Sequence, residues 1–121
     1  MSEYPAGISH RRRISGVSHW RWQRFSAVVV VCLMAYFVVL LAAMGAQDYA
    51  GATALVAAPH NALALVILVT VGLFHGAIGL QVVIEDYVSI AGGRNAVIRL
   101  VNIVMAIIGV ASLWAVGSIA L

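Results

Sequence analysis

Three long apolar stretches dominate the pattern of hydrophobic and polar positions along the chain. Each lacks Asp, Glu, Lys and Arg, and they run from Phe25 to Gln47, from Tyr49 to Ile84 and from Leu100 to Leu121. Each can supply the roughly 20 apolar residues that a membrane-spanning helix requires. The pattern therefore predicts three transmembrane helices, near residues 25–45, 61–84 and 97–119.

The middle uncharged stretch is too long for a single span, and its Pro59-His60-Asn61 segment predicts where the second helix begins. Within a bilayer the backbone must satisfy its own hydrogen bonds, which leaves helices or a closed barrel. The long apolar runs lack the period-two alternation of barrel strands. We therefore expect an all-α integral membrane protein with three transmembrane helices.

Composition supports a membrane location and excludes an ordinary cytosolic protein. Hydrophobic residues make up 64% of the 121 positions, charged residues make up 9%, and the mean hydropathy is +1.05. A soluble domain is about half apolar and a quarter charged. The excess apolar surface would be exposed to water in a soluble protein, whereas lipid accepts it.

The charges predict the topology. All seven basic residues are Arg, and five of them precede the first span, whereas Arg94 and Arg99 flank the connection between the second and third spans. Because cytoplasmic segments carry the excess of positive charge, the N-terminus and the 87–96 loop are expected in the cytoplasm. We expect residues 1–24 to form a basic cytoplasmic arm, with residues 1–18 loosely ordered, and residues 25–121 to form the membrane domain.

Two other interpretations of the arginine-rich N-terminal segment are not supported by the sequence. Nucleic-acid binding is not expected, because neither an aromatic stacking surface nor a recognition fold follows the basic cluster. A cleaved twin-arginine signal peptide is not expected either, because the apolar run is longer than a signal core and two more spans follow. The single Cys32 permits no internal disulfide.

His75 is the one strong functional candidate within a span, where ionisable groups are costly. On a helix, Gly72 and Gly79 fall within about 60° of the His75 direction, and Gly76 is adjacent. One interpretation is helix packing, with Gly72 and Gly76 forming a small-xxx-small contact. The other is axial ligation of a haem, for which the glycines leave space and a second subunit must supply the opposite ligand.

Polar residues at the cytoplasmic end of the spans form a second candidate group. Tyr87 is either an interfacial anchor or a phenol that donates a hydrogen bond to a carbonyl of a lipid-soluble ligand. Asp86 lies about 20° from the His75 direction, so it faces the bundle or remains a solvated acid. His19 and Arg24 set topology or neutralise acidic groups of a cofactor.

Three stretches of the sequence carry a resemblance to a known family. The segment 74–88, Phe-His-Gly-Ala-Ile-Gly-Leu-Gln-Val-Val-Ile-Glu-Asp-Tyr-Val, resembles the second-helix signature of the D-type hydrophobic membrane-anchor subunits of succinate dehydrogenase. Residues 15–20 and 23–27, Ser-Gly-Val-Ser-His-Trp and Gln-Arg-Phe-Ser-Ala, resemble the N-terminal part of the same family. The three-span length of about 120 residues also agrees, so the resemblance covers most of the chain.

The resemblance implies a set of roles for these residues. His75 is expected to be one axial ligand of haem b, with Gly72, Gly76 and Gly79 packing against the haem. Tyr87 is expected to bind the quinone, with Asp86 supporting it. Near the haem propionates the resemblance places His19 and Arg24.

The resemblance also implies partners and a location. A cytochrome b556-type anchor subunit would supply the opposite haem ligand, and iron–sulfur and flavoprotein subunits would carry the iron–sulfur clusters and FAD. The expected quinone is ubiquinone rather than menaquinone, and the expected location is the bacterial inner membrane. The chain would be a non-flavin subunit of succinate:quinone oxidoreductase without catalytic activity of its own.

Two alternatives remain at this point. One is a haem-free anchor of the fumarate reductase type, which keeps the assembly and the quinone but removes iron from His75. The other is a small transporter or helix-packing membrane protein, in which His75 gates protons or locks helices. Transport favours an acidic residue buried in a span, and the three spans contain none.

Overall fold

The structure, a computed structural model, describes residues 6–88 and 91–121, with side chains described from Val17 to Val88 and from Gly92 onward. This part of the chain is helical and contains no strand. The four helices are α1 (Ala6–Gly45), α2 (Tyr49–Ala57), α3 (Pro59–Tyr87) and α4 (Ala91–Ala120).

Three of the helices are long and apolar enough to cross a membrane, which confirms the predicted fold class. The candidate spans are Val17–Gly45, Pro59–Tyr87 and Gly92–Ala120. Each begins before the predicted span, by two to eight residues, because the polar residues at the membrane boundary continue the helix rather than ending it. The expected entry to the second span is also correct, since Pro59 lies in the first turn of α3, where its missing N–H costs no helical hydrogen bond.

The N-terminal arm differs from the expectation that residues 1–18 are loosely ordered. Helix α1 begins at Ala6, so the described part of the arm is helical and continuous with the first span instead of loosely ordered. Residues 1–5 of the arm lie outside the described residues. The physical reason is that a long apolar helix is already nucleated, so each added residue needs only propagation, and no proline interrupts the sequence between Ala6 and the span.

The short helix α2 in the first connection was not expected. Its N-cap is Asp48, whose carboxylate accepts a hydrogen bond from the Gly51 backbone N–H at 2.8 Å. Such a cap satisfies one of the free N–H groups at a helix start. At its other end the Ala58 N–H still bonds to the Ala54 carbonyl, after which Pro59 starts α3.

Helix α3 lies at the centre of the arrangement, between α1 and α4, and α2 contacts all three long helices at one end. Among the described apolar residues only Leu40, Val56 and Ile84 are buried. The outward faces carry large exposed apolar side chains, such as Phe25 at 63% and Trp114 at 79% exposure. Surfaces of this kind are stable only against lipid or a partner protein.

Candidate site around His75

His75 lies in the middle of α3 and points one ring nitrogen at α1. Its Nδ1 atom is 2.9 Å from the hydroxyl oxygen of Ser26, which is 2% exposed. The Ser26 hydroxyl also donates a hydrogen bond to the backbone carbonyl of Gln23 at 3.0 Å. The imidazole is therefore held against α1 by one buried hydroxyl.

The local sequence explains why these groups meet. Gln23 and Ser26 are three residues apart on a helix, so both side chains lie on the face of α1 that contacts α3. Helices α1 and α3 run antiparallel, which places Gln23 one turn beyond Ser26 opposite Gly79. A Cβ added at Gly79 would lie 3.5 Å from the Gln23 amide nitrogen, an ordinary van der Waals contact, so this amide lies close against α3 at Gly79.

The Gln23 side chain leaves one polar atom without a partner. Its Oε1 atom is buried and accepts no hydrogen bond from the part of the chain that the structure describes. A buried acceptor without a donor is costly, and more so in a low dielectric. The cluster of Gln23, Ser26 and His75 therefore has unused hydrogen-bonding capacity at the α1–α3 interface.

The three glycines expected beside the haem face different surroundings. A Cβ at Gly72 would meet nothing within 4 Å, whereas one at Gly76 would lie 3.9 Å from the Met105 side chain of α4. Gly79 faces Gln23 of α1, as described above. Of the three, Gly72 alone borders open space in this chain, and the other two serve contacts between helices.

A second polar cluster joins the helices at the N-terminal end of α3. Asn61 is 5% exposed, and its Oδ1 atom accepts a hydrogen bond from the Tyr36 hydroxyl of α1. Its Nδ2 atom donates to the Leu55 carbonyl of α2 at 2.8 Å. That carbonyl would normally accept from residue 59, but Pro59 has no N–H, so Asn61 replaces the missing donor.

The polar end of α3 lies about 18 Å beyond His75 at 1.5 Å per residue. Tyr87 is the last residue of the helix and is 84% exposed, and Asp86 is exposed beside it. The Arg94 guanidinium of α4 donates to the Val88 carbonyl at 3.1 Å and thereby caps the end of α3. Tyr87 and Asp86 are thus accessible at a fixed helix end.

The structure does not bring His19 and Arg24 together. They are five residues apart on α1, which places their side chains about 140° apart around the helix. The Arg24 guanidinium stacks over the Trp20 ring, 4.7 Å from its centre. His19 is exposed and shares the Ser26 side of α1 by helical spacing.

The described residues contain no group of three or more His, Cys, Asp or Glu side chains that would hold a metal ion. A metal centre involving His75 would therefore need ligands from outside these described side chains. Sequence reasoning missed Gln23 and Ser26. The available signal was two polar residues on one helix face near the start of the first apolar stretch, but nothing in the local sequence shows that this face meets His75.

Fold and site together define a multi-pass helical membrane protein with one histidine held at a helix interface. A family model described as "Succinate dehydrogenase/Fumarate reductase transmembrane subunit" matches residues 6–115. The chain belongs to this family and is a transmembrane anchor subunit of the succinate dehydrogenase or fumarate reductase type.

Curated relatives agree with this assignment. The succinate dehydrogenase hydrophobic membrane anchor subunit of Rickettsia felis is 32% identical over 89 residues, which is 74% of each chain. The protein of the same description from Rickettsia bellii is 34% identical over 89 residues, 74% of this chain and 71% of the relative. No solved structure matches the chain.

Proposed function

We propose that the chain anchors the flavoprotein and iron–sulfur subunits of a succinate dehydrogenase to the bacterial inner membrane, together with a cytochrome b556-type anchor subunit. Family membership and the names of the Rickettsia relatives support this assembly. The exposed apolar faces of α1 and α4 supply surface for lipid and for the second anchor subunit. The arginine distribution supports a cytoplasmic N-terminus.

Within this assembly His75 contributes one axial ligand to haem b. The observation that carries this role is the Ser26 contact at Nδ1, which leaves the other ring nitrogen, Nε2, available to a ligand. His19 and His60 are exposed and lie near the starts of candidate spans rather than in their middle, so the opposite ligand comes from the partner anchor subunit. When bound, haem supplies a one-electron carrier within the membrane.

The quinone site lies at the end of α3. Tyr87 offers an exposed phenol that donates a hydrogen bond to a quinone carbonyl, and the adjacent Asp86 offers a carboxylate to the same polar network. The expected quinone is ubiquinone. His19 and Arg24 lie on α1 toward the same end as Tyr87, where basic groups neutralise haem propionates.

A reduced-minus-oxidised absorption spectrum of the purified complex tests this function, with the co-purifying subunits identified. We expect a b-type haem signal in the wild-type complex and its loss in His75→Ala. His60→Ala is the matched control, because His60 is an exposed histidine at the start of the same helix, and it should keep the signal. Flavin and iron–sulfur subunits should be present in all three preparations.

Other outcomes contradict parts of the proposal. Flavin and iron–sulfur partners without haem in the wild type would establish a haem-free anchor of the fumarate reductase type. A haem signal that persists in His75→Ala would remove His75 from the ligand set. Failure of the flavin and iron–sulfur subunits to co-purify would contradict the assembly itself.

A further inference from the structure

The Ser26 hydroxyl is buried between α1 and α3. Ser26 is 2% exposed, and its oxygen contacts two groups, the Gln23 carbonyl at 3.0 Å and His75 Nδ1 at 2.9 Å. Buried polar groups are almost always hydrogen-bonded, and in lipid there is no water to replace a lost partner. The directions of these two hydrogen bonds therefore bear on which imidazole nitrogen carries the hydrogen.

Counting hydrogens favours one direction for each of the two contacts. A serine hydroxyl carries one hydrogen, and a carbonyl oxygen can only accept. The contact with Gln23 is a hydrogen bond only if Ser26 donates. The Ser26 lone pairs then face His75, and the arrangement that matches them has the hydrogen on Nδ1, which donates it to Ser26. This is the one assignment in which each contact has its own hydrogen.

We propose that Ser26 is a positioning residue that holds His75 in the tautomer protonated at Nδ1, with the lone pair on Nε2. The tautomer follows from the contacts of this chain alone, whereas its use for iron ligation rests on the proposed function. A hydrogen bond from the second nitrogen of a ligating histidine fixes the ring and raises the basicity of the ligand. Ser26 thereby selects which nitrogen binds and how strongly it donates.

The opposite arrangement has a different outcome. If the hydroxyl rotated to donate to Nδ1, the hydrogen of the neutral ring would move to Nε2, and that nitrogen could not act as a ligand. The Gln23 carbonyl would also lose the hydroxyl. The two arrangements are distinguishable by which ring nitrogen is protonated.

The first test is ¹⁵N NMR of the reduced, histidine-labelled complex, with the His75 signals assigned by their absence in His75→Ala. We expect a protonated Nδ1 in the wild type and in Ser26→Thr, which keeps the hydroxyl. In Ser26→Ala the Nδ1 signals should shift, because their acceptor is gone. A wild-type ring protonated at Nε2 would overturn the proposal, whether or not the complex contains haem.

The second test is a redox titration of the haem with its low-spin electron paramagnetic resonance spectrum. Removing the acceptor weakens electron donation by His75, so Ser26→Ala should shift the midpoint potential to more positive values and alter the low-spin signal. Ser26→Thr should match the wild type. Ser118→Ala is the matched control, since the Ser118 hydroxyl bonds the Ala115 carbonyl on α4, away from His75.

If Ser26→Ala fails to assemble, Ser26→Cys provides a second variant for the same test. Ser26→Cys has similar volume but is a weaker acceptor, and it should shift the potential in the same direction by a smaller amount. An unchanged potential and low-spin signal in Ser26→Ala or Ser26→Cys would contradict the positioning role. Haem retained in His75→Ala, combined with a wild-type Nδ1 proton that responds to Ser26→Ala, would defeat the ligation role and leave the tautomer assignment standing.

Discussion

The polar clusters around Asn61 and His75 on α3 differ in how many of their hydrogen-bonding groups have partners. Asn61 uses its amide oxygen for the Tyr36 hydroxyl and its amide nitrogen for the Leu55 carbonyl, so it links three helices. His75 uses one ring nitrogen for Ser26 and keeps the other. Both are buried or half-buried in a helix that crosses the membrane. The comparison indicates that a polar residue with both ends occupied stabilises the bundle, whereas one with a free end has capacity for a ligand.

The largest effect that sharpens this comparison is expected from Asn61→Leu. The substitution leaves the Tyr36 hydroxyl and the Leu55 carbonyl without their partner, which should lower the free energy of unfolding by roughly 1–3 kcal/mol. Thermal unfolding of the detergent-solubilised complex, together with the assembled yield, measures this loss. Haem per assembled complex should stay at the wild-type level.

The matched control for Asn61 is Asn102→Leu on α4. Asn102 is exposed, so its replacement by Leu should leave no buried polar group without a partner. We expect stability within about 0.5 kcal/mol of the wild type. If Asn61→Leu lost haem while its unfolding was unchanged, the division into a structural cluster and a ligand-binding cluster would be wrong.

The next effect concerns Tyr87 and Tyr36, since the Tyr87 side chain is exposed whereas the Tyr36 hydroxyl is bound to Asn61. Tyr87→Phe should assemble normally but reduce quinone reductase activity about two- to thirteenfold, the equivalent of one neutral hydrogen bond of roughly 0.5–1.5 kcal/mol. Succinate oxidation with an artificial acceptor should be unchanged. Steady-state assays with both acceptors on the same preparation measure the difference.

Tyr36→Phe supplies the reciprocal comparison, because its hydroxyl is bound to Asn61. It should lower thermal stability and leave the ratio of the two activities unchanged. Equal loss of both activities in Tyr87→Phe would argue against the quinone role of Tyr87.

The smallest effect is expected from Gly72→Ala. An added Cβ meets nothing within 4 Å in this chain, so the fold should be unaffected. If haem lies against this face, one extra methyl should weaken its retention about fivefold, the equivalent of roughly 1 kcal/mol of overpacking. Haem content per flavin after detergent washing measures this. Gly117 lies near the end of α4, and a Cβ added there also meets nothing within 4 Å, so Gly117→Ala should have no effect.

The sequence alone determined the spans and the principal candidate residue. Three uncharged stretches can cross a bilayer only as helices, because lipid offers no partner to an exposed backbone. The same reasoning selected His75, since an imidazole within a span is costly and therefore informative. It also placed the start of α3, because Pro59 is favourable only in the first turn of a helix.

Only the tertiary structure decided what surrounds His75. Ser26 lies 49 residues away along the chain, and the contact between them depends on the rotation and register of two antiparallel helices. The glycines show the same limit, because spacing placed Gly72, Gly76 and Gly79 near one direction while packing gave each a different neighbour. Local sequence sets which residues share a helix face, but the faces that meet are chosen by long-range packing.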